Sequence, residues 1–176
     1  FRHPDFKGRF KDVSDIAVEN YRAMELDGLV CIGGDGTLNI AYKLYKKGVK
    51  LIGVPKTIDN DLRQTEATIG FDSALITATQ AIDKLHTTAQ SHHRVMVIEV
   101  MGRYAGWLAL YSGLAGGGDI VLLPEIPYDI KKVCDVVSKR NQRGKRFSIV
   151  VVSEGARPKA GKMVVRKIVK DPTDPV

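Results

Sequence analysis

Two aspartates one residue apart, Asp59 and Asp61, follow a lysine and a threonine in VPKTIDNDL (residues 54–62), directly after an apolar run. Carboxylates at that spacing suit two tasks: one can take a proton while the other holds a metal ion. A solvated turn would use the same residue types, because Asp and Asn favour turns through local hydrogen bonds. A second loop, GGDGT (33–37), has the make-up of a phosphate cradle. Its glycines let the backbone approach closely, and amides at a helix start attract an anion. Asp35 inside it would repel a phosphate unless a divalent cation stood between them. In a plain strand-to-helix turn, Asp35 would instead be an N-cap. A third stretch, MGR (101–103), puts Arg103 at the start of a helical pattern, where the helix dipole disfavours a cation. Phosphoryl transfer is a reason to place positive charge there; a surface arginine is the plain alternative.

The elements around these loops alternate. Nearly continuous Val/Ile/Leu runs at 28–33, 50–55, 94–100, 119–124 and 147–153 read as strands covered on both faces, as in parallel sheets. Helical patterns lie between them at about 14–26, 37–47, 71–89, 104–115 and 129–142, with Asp72 or Ser73 a candidate cap for the long one. The order predicts an α/β fold, an αβα sandwich with mainly parallel sheets. After Glu154 the chain turns basic and is punctuated by Gly and Pro, which predicts a loop plus a short strand. Ligands of such sheets bind beyond the carboxyl ends of strands. The stretches in that position are GGDGT, PKTIDND, MGRYAG, PEIPYD and SEGA, and all but the fourth are rich in Gly plus charge.

Composition narrows the class of partner. Lys+Arg 27 against Asp+Glu 20 gives a formal net charge of +7, which favours an anion: nucleic acid, an acidic surface or a phosphorylated metabolite. No ladder of aromatics or basic recognition helix supports nucleic acid. No apolar run approaches the roughly 20 residues of a membrane span. Cys31 and Cys134 are expected to be reduced core thiols of a cytoplasmic protein. Tyr104, Trp107 and Leu108, at helical spacing, are expected in the core. His92 and His93 resemble a metal pair only superficially, since neighbouring side chains diverge, and are expected to be structural.

Gly-Gly-Asp-Gly-Thr loops also occur in diacylglycerol and NAD kinases. The ordered set GGDGT, PKTIDND, GFDSA, HHRVMVIEVMGRYAGWLAL and SEGA, however, closely resembles the phosphofructokinase family along nearly the whole chain. The resemblance implies transfer of a phosphoryl group to the 1-hydroxyl of fructose 6-phosphate. It implies parts of two Rossmann-like lobes: residues 1–70 from the nucleotide and Mg2+ lobe, 71–176 from the sugar-phosphate lobe. By it, Asp59 is the general base and Thr57 lies near the reacting groups. Met101 and Gly102 line the sugar pocket, Arg103 faces the group in transit, and Glu154 bonds sugar hydroxyls. Asp35 and Asp61 form the metal side. Arg2, Lys7, Gly34, Asp35, Gly36 and Thr37 meet the nucleotide. Arg94 resembles the arginine that reaches a neighbouring subunit's sugar-phosphate pocket, implying a homo-oligomer, dimer or tetramer. Some family members hold an effector phosphate near RGKR (143–146) and place an acidic contact near Asp119.

Donor choice rests on two positions. Pyrophosphate-dependent members commonly carry an aspartate where Gly36 stands and a lysine where Lys56 stands. Gly36 leaves room for a nucleotide α-phosphate, so ATP is expected over pyrophosphate. The chain opens on Phe1, and the family's Gly-rich opening turn and closing histidine contacts have no counterpart in it. The resemblance is therefore to the central portion of such an enzyme, with apolar surface expected to stand open and activity of the 176 residues alone in doubt. A non-catalytic chain that binds sugar phosphate is the alternative from another class.

Overall fold

A computed structural model describes residues 12–161, which divide into two compact units, 12–56 and 57–161. The division falls earlier than the boundary expected at residue 70. The segment 57–70 is closed on itself, the Thr68 hydroxyl donating to the Thr57 carbonyl at 2.7 Å, and joins the helix that follows through the Phe71 amide, which donates to the Thr68 carbonyl at 3.2 Å.

The first unit runs α1 (Ser14–Ala23), β1 (Leu29–Gly33), α2 (Asp35–Lys46), β2 (Leu51–Pro55). Its strands are parallel, with Leu29 opposite Leu51 and Gly33 opposite Pro55. Helix α2 covers one face, burying Ala41, and Leu38 lies so close to Gly53 that a Cβ there would come within 2.9 Å of it. The other face is open: Val30, Ile32 and Ile52 are 65%, 60% and 68% exposed. Coverage on both faces, expected from the apolar runs, is thus not met among the described residues of this unit. Cys31 is half-buried.

The second unit runs α3 (Phe71–His92), β3 (Val95–Val100), α4 (Trp107–Ala115), β4 (Ile120–Leu122), α5 (Ile130–Gln142), β5 (Ser148–Ser153). The sheet order is β3-β5-β4, all parallel, so the carboxyl ends of its three strands share one edge. Alternation along each strand separates the two faces. Ile149 and Val151 of β5, with Met96, Ile98 and Val100 of β3, pack against Ile82 and Ala89 of α3 and Ala109 of α4. Val95, Val97, Leu122, Val150 and Val152 point the other way. There α5 covers them loosely and leaves a groove of about 620 Å³.

Several local expectations change. Gly70, at φ 105°, precedes α3 with no side-chain cap, so neither Asp72 nor Ser73 serves as one; the turn needs a left-handed residue that glycine supplies without strain. His93 closes the same helix at φ 51°, a structural duty. Helix α4 begins only at Trp107, which leaves Tyr104 in the preceding turn, 57% exposed. Trp107 is also exposed, tilted against Tyr111 at 6.1 Å, and only Leu108 of the trio is buried. Cys134 is exposed beside the α5 groove rather than in the core. After Glu154 the described chain, to Gly161, makes turns and one isolated bridge, Tyr128 to Pro158, as the expected loop; the short strand expected beyond it lies outside the described residues. Among the described residues no helix is long and apolar enough to cross a membrane.

Candidate active site

In the second unit the loop after Lys56 is built by side chains that replace regular backbone pairing. The Asp59 amide donates to Thr57 Oγ1 at 3.2 Å, Asn60 sits at φ 51°, and Thr68 is 4% exposed. This bonding is the turn chemistry of Thr and Asn. It also fixes Asp59. One of that residue's oxygens, Oδ1, is shielded from solvent and has no hydrogen-bond partner. A buried carboxylate oxygen without a partner is costly, and structures retain such groups chiefly where they are used.

Three nearby charges act on Asp59. Burial pushes its carboxyl above the ordinary carboxylate range, and the charges of Asp61 and Glu154 push the same way. Arg103 and the Thr57 hydroxyl pull it down, less strongly. The net effect is a carboxylate that holds a proton more tightly than usual, which makes it a better base once ionised. Thr57, Asp59, Asp61, Arg103 and Glu154, singled out from sequence, are thus brought together in one unit.

The turn after β3 is held from β5. Glu154 Oε1 accepts from the Gly102 amide at 3.2 Å and the Arg103 amide at 2.7 Å. The Ala105 amide closes the turn onto the Gly102 carbonyl at 2.8 Å. Gly102 has φ 138°, and a Cβ there would come within 2.5 Å of Ala105 O. Arg103 has φ 49°, a left-handed conformation uncommon for a side chain of that size. Backbone held in such regions persists where its surroundings over-determine it. Glu154 thus has a role that the resemblance did not imply: one of its oxygens holds the loop.

Two further residues of this edge were not singled out from sequence. Glu125, in the one stretch of the five not rich in Gly plus charge, accepts from the Gly106 amide at 2.7 Å. Ser153, 1% exposed, has an Oγ without a hydrogen-bond partner and lies about 3.8 Å from where a Gly102 Cβ would be. Their position at the carboxyl ends of β4 and β5 was the available signal.

In the first unit, Gly33 ends β1, Gly34 is the N-cap of α2 and Asp35 opens the helix. Asp35 is therefore inside the first turn, not its cap. Gly33 must lack a Cβ, which would come within 2.5 Å of the Thr37 side chain. A Cβ on Gly36 would meet nothing within 4 Å. Lys56 is exposed, and its amide donates to the Gly33 carbonyl at 3.0 Å. Arg2 and Lys7 lie outside the described residues.

Arg94 stands apart from the other second-unit candidates. It precedes β3, whereas Met101, Gly102 and Arg103 follow it, so about 20 Å of strand separates them. Asp119 is occupied internally: Oδ1 pairs with Arg140 at 2.7 Å and Oδ2 accepts from the Ile149 amide at 2.9 Å. Each oxygen thus has a partner within the fold, which gives Asp119 a structural role. Among the described residues no group of three or more His, Cys, Asp or Glu side chains could hold a metal ion by itself. Mg2+ does not need one, since one or two carboxylates plus substrate phosphates typically hold it.

Comparison with known proteins agrees over most of the chain. The phosphofructokinase family model matches residues 2–174. The chain is 60% identical over 166 residues to ATP-dependent 6-phosphofructokinase 2 of Clostridium perfringens (strain 13 / Type A), covering 94% of this chain and 45% of that protein. It thus spans less than half the length of this curated relative. The phosphofructokinase structure from Saccharomyces cerevisiae superposes with a TM-score of 0.77 at 35% identity, over 86% of this chain and 23% of that one. A pyrophosphate-dependent phosphofructokinase from Marinobacter aquaeolei superposes at 0.74 and 32% identity, over 89% and 44%. The chain belongs to the phosphofructokinase family.

Proposed function

We propose that the protein is an ATP-dependent 6-phosphofructokinase of glycolysis, forming fructose 1,6-bisphosphate from fructose 6-phosphate in the cytoplasm. One observation carries the proposal most: Asp59 has a buried, unpartnered oxygen beside Arg103 and Thr57. Asp59 takes the proton of the sugar's 1-hydroxyl as that oxygen attacks the γ-phosphorus and ADP leaves. Arg103 offsets charge on the group in transit, and Thr57 lies near the reacting end. Met101 and Gly102 line the sugar, with Glu154 Oε2 available to a sugar hydroxyl. Phosphoryl transfer rests on such positioning and charge balance more than on covalent chemistry.

The turn Gly34–Thr37 presents helix-start amides to the donor's phosphates, with Arg2 and Lys7 as further nucleotide contacts. Asp35 on the first unit and Asp61 on the second each carry a carboxylate of the kind that suits Mg2+, and either would serve as a ligand; Mg2+ when bound would spread the negative charge of the donor. By this assignment the first unit serves the nucleotide and the second the sugar phosphate. A coupled assay of the full gene product for fructose 1,6-bisphosphate, with ATP and Mg2+, tests the proposal; no product at saturating substrates would refute it.

Arg94 lies at the wrong end of β3 for its own chain's turn at 101–103, which supports its acting across a symmetric homo-oligomer. Arg94→Ala should weaken sugar-phosphate binding by about 1.5–3 kcal/mol, the worth of a charge-assisted contact. Mixing Arg94→Ala chains with Asp59→Asn chains should restore activity at hybrid sites. Verified mixed oligomers without recovered activity would remove Arg94 from a shared site.

Pyrophosphate as donor is the second reading, favoured by Lys56 and by the likeness to the Marinobacter aquaeolei structure. The higher identity to the ATP-dependent relative and the open space at Gly36 weigh against it.

A further inference from the structure

We infer that Glu125 is a positioning residue of the phosphoryl-transfer site, acting through the Gly106 amide on the loop that carries Met101, Gly102 and Arg103. The inference rests on the function proposed above and extends it to a residue that touches no substrate. The loop has two ends, and each is held by a carboxylate that follows another strand of the same sheet. Glu154, after β5, holds the amides of Gly102 and Arg103. Glu125, after β4, holds the amide of Gly106.

The second contact is built for close approach. Gly106 is buried, and a Cβ on it would come within 2.6 Å of Glu125 Oε2. Its amide needs an acceptor, because a buried N–H left unpaired is destabilising. Gly106 is also the N-cap of α4, a helix with no side-chain cap and no acidic residue in its first turn. Glu125 therefore supplies from another strand the negative charge and the N-cap acceptor that a capping-box glutamate provides from within a helix. At the end held by Glu154, Arg103 has φ 49° and Gly102 φ 138°, and Gly106 fixes where the turn leaves them. Releasing one anchor lets that unusual backbone relax and carries the Arg103 guanidinium off line. Misplacement by an ångström can lower a rate by about 10²-fold.

The test uses the full gene product with Glu125→Ala and Glu125→Gln, the latter keeping an oxygen acceptor for Gly106. Two measurements are needed: hydrogen exchange of peptides covering 101–110 and 148–153, and steady-state kinetics with fructose 6-phosphate. Glu125→Ala should speed exchange in 101–110 by about tenfold and leave 148–153 unchanged. Its kcat should fall by roughly 10-fold to 10²-fold, with KM for the sugar changing less. Glu125→Gln should recover most of both. Unaltered exchange in both variants overturns the anchor. Faster exchange with unchanged kcat overturns the positioning role, leaving Glu125 a structural cap. If Glu125→Ala does not fold, Glu125→Asp, one methylene shorter than the reach to Gly106, decides: faster exchange in 101–110 with lowered kcat supports the anchor, and wild-type exchange overturns it. A wild-type protein that forms no fructose 1,6-bisphosphate refutes the proposed function, and the positioning role with it; the exchange measurement still judges the anchor.

Discussion

Replacing Asp59 with Asn should lower turnover by about 10²–10⁴-fold while changing sugar-phosphate affinity far less. Asn preserves the shape of the side chain, so the loss isolates the proton acceptor. Turnover within a few-fold of wild type would remove Asp59 from the role of base. The pH dependence follows from the raised carboxyl. Catalysis requires the ionised form, so kcat/KM should fall on the acid side at a higher pH than an unperturbed aspartate would give, and that limb should vanish in Asp59→Asn. Stability should move the other way. Because folding raises the proton affinity of this group, its ionisation favours the unfolded chain, starting from the unfolded pKa of about 3.9 and complete above the folded value. Asp59→Asn should therefore unfold at higher denaturant than wild type near neutral pH, with the difference shrinking as pH falls through the raised folded value and gone below the unfolded pKa. A less stable Asp59→Asn at neutral pH would mean that the carboxylate is paired, contrary to its unpartnered Oδ1.

The strands were legible because Val, Ile and Leu run almost unbroken through them, and the loops because Gly and charge collect where the strands end. What the same letters do not carry is which faces are covered. Val30, Ile32 and Ile52 read as doubly buried yet stand exposed, since periodicity reports apolar character and not the presence of a covering layer. Cys134 and Trp107 were misjudged for the same reason: a helical stripe defines a face, and only tertiary packing says what lies on it. Glu125 was invisible because its partner is a backbone amide 19 residues away, a pairing that no side-chain pattern records. The cap of α3 was misplaced because a residue that could bond the first turn, Asp72, was preferred to Gly70, whose φ of 105° meets the need through backbone freedom.

The same freedom from a side chain governs the expected choice of donor. Gly36→Asp should depress use of ATP by about 10² or more while affecting pyrophosphate use much less, because like charges brought together cost several kcal/mol and each 1.4 kcal/mol is tenfold. The variant should fold. Position 36 lies in the first turn of α2, where an acidic side chain is favoured by the helix dipole, and a Cβ there meets nothing within 4 Å. A fall in ATP use would therefore report the donor and not a damaged loop. Under the function proposed above, the α-phosphate of a nucleotide, absent from pyrophosphate, passes the open space at Gly36, and an aspartate would fill that space with charge of the same sign. Lys56 carries positive charge that serves either donor, so Lys56→Ala should weaken both without reversing the preference. Measuring kcat/KM for ATP and for pyrophosphate in wild type and Gly36→Asp gives the ratio directly. A wild-type enzyme that uses pyrophosphate and ignores ATP with Mg2+ present would overturn ATP as donor, and an unchanged ratio in Gly36→Asp would show that this turn does not select it.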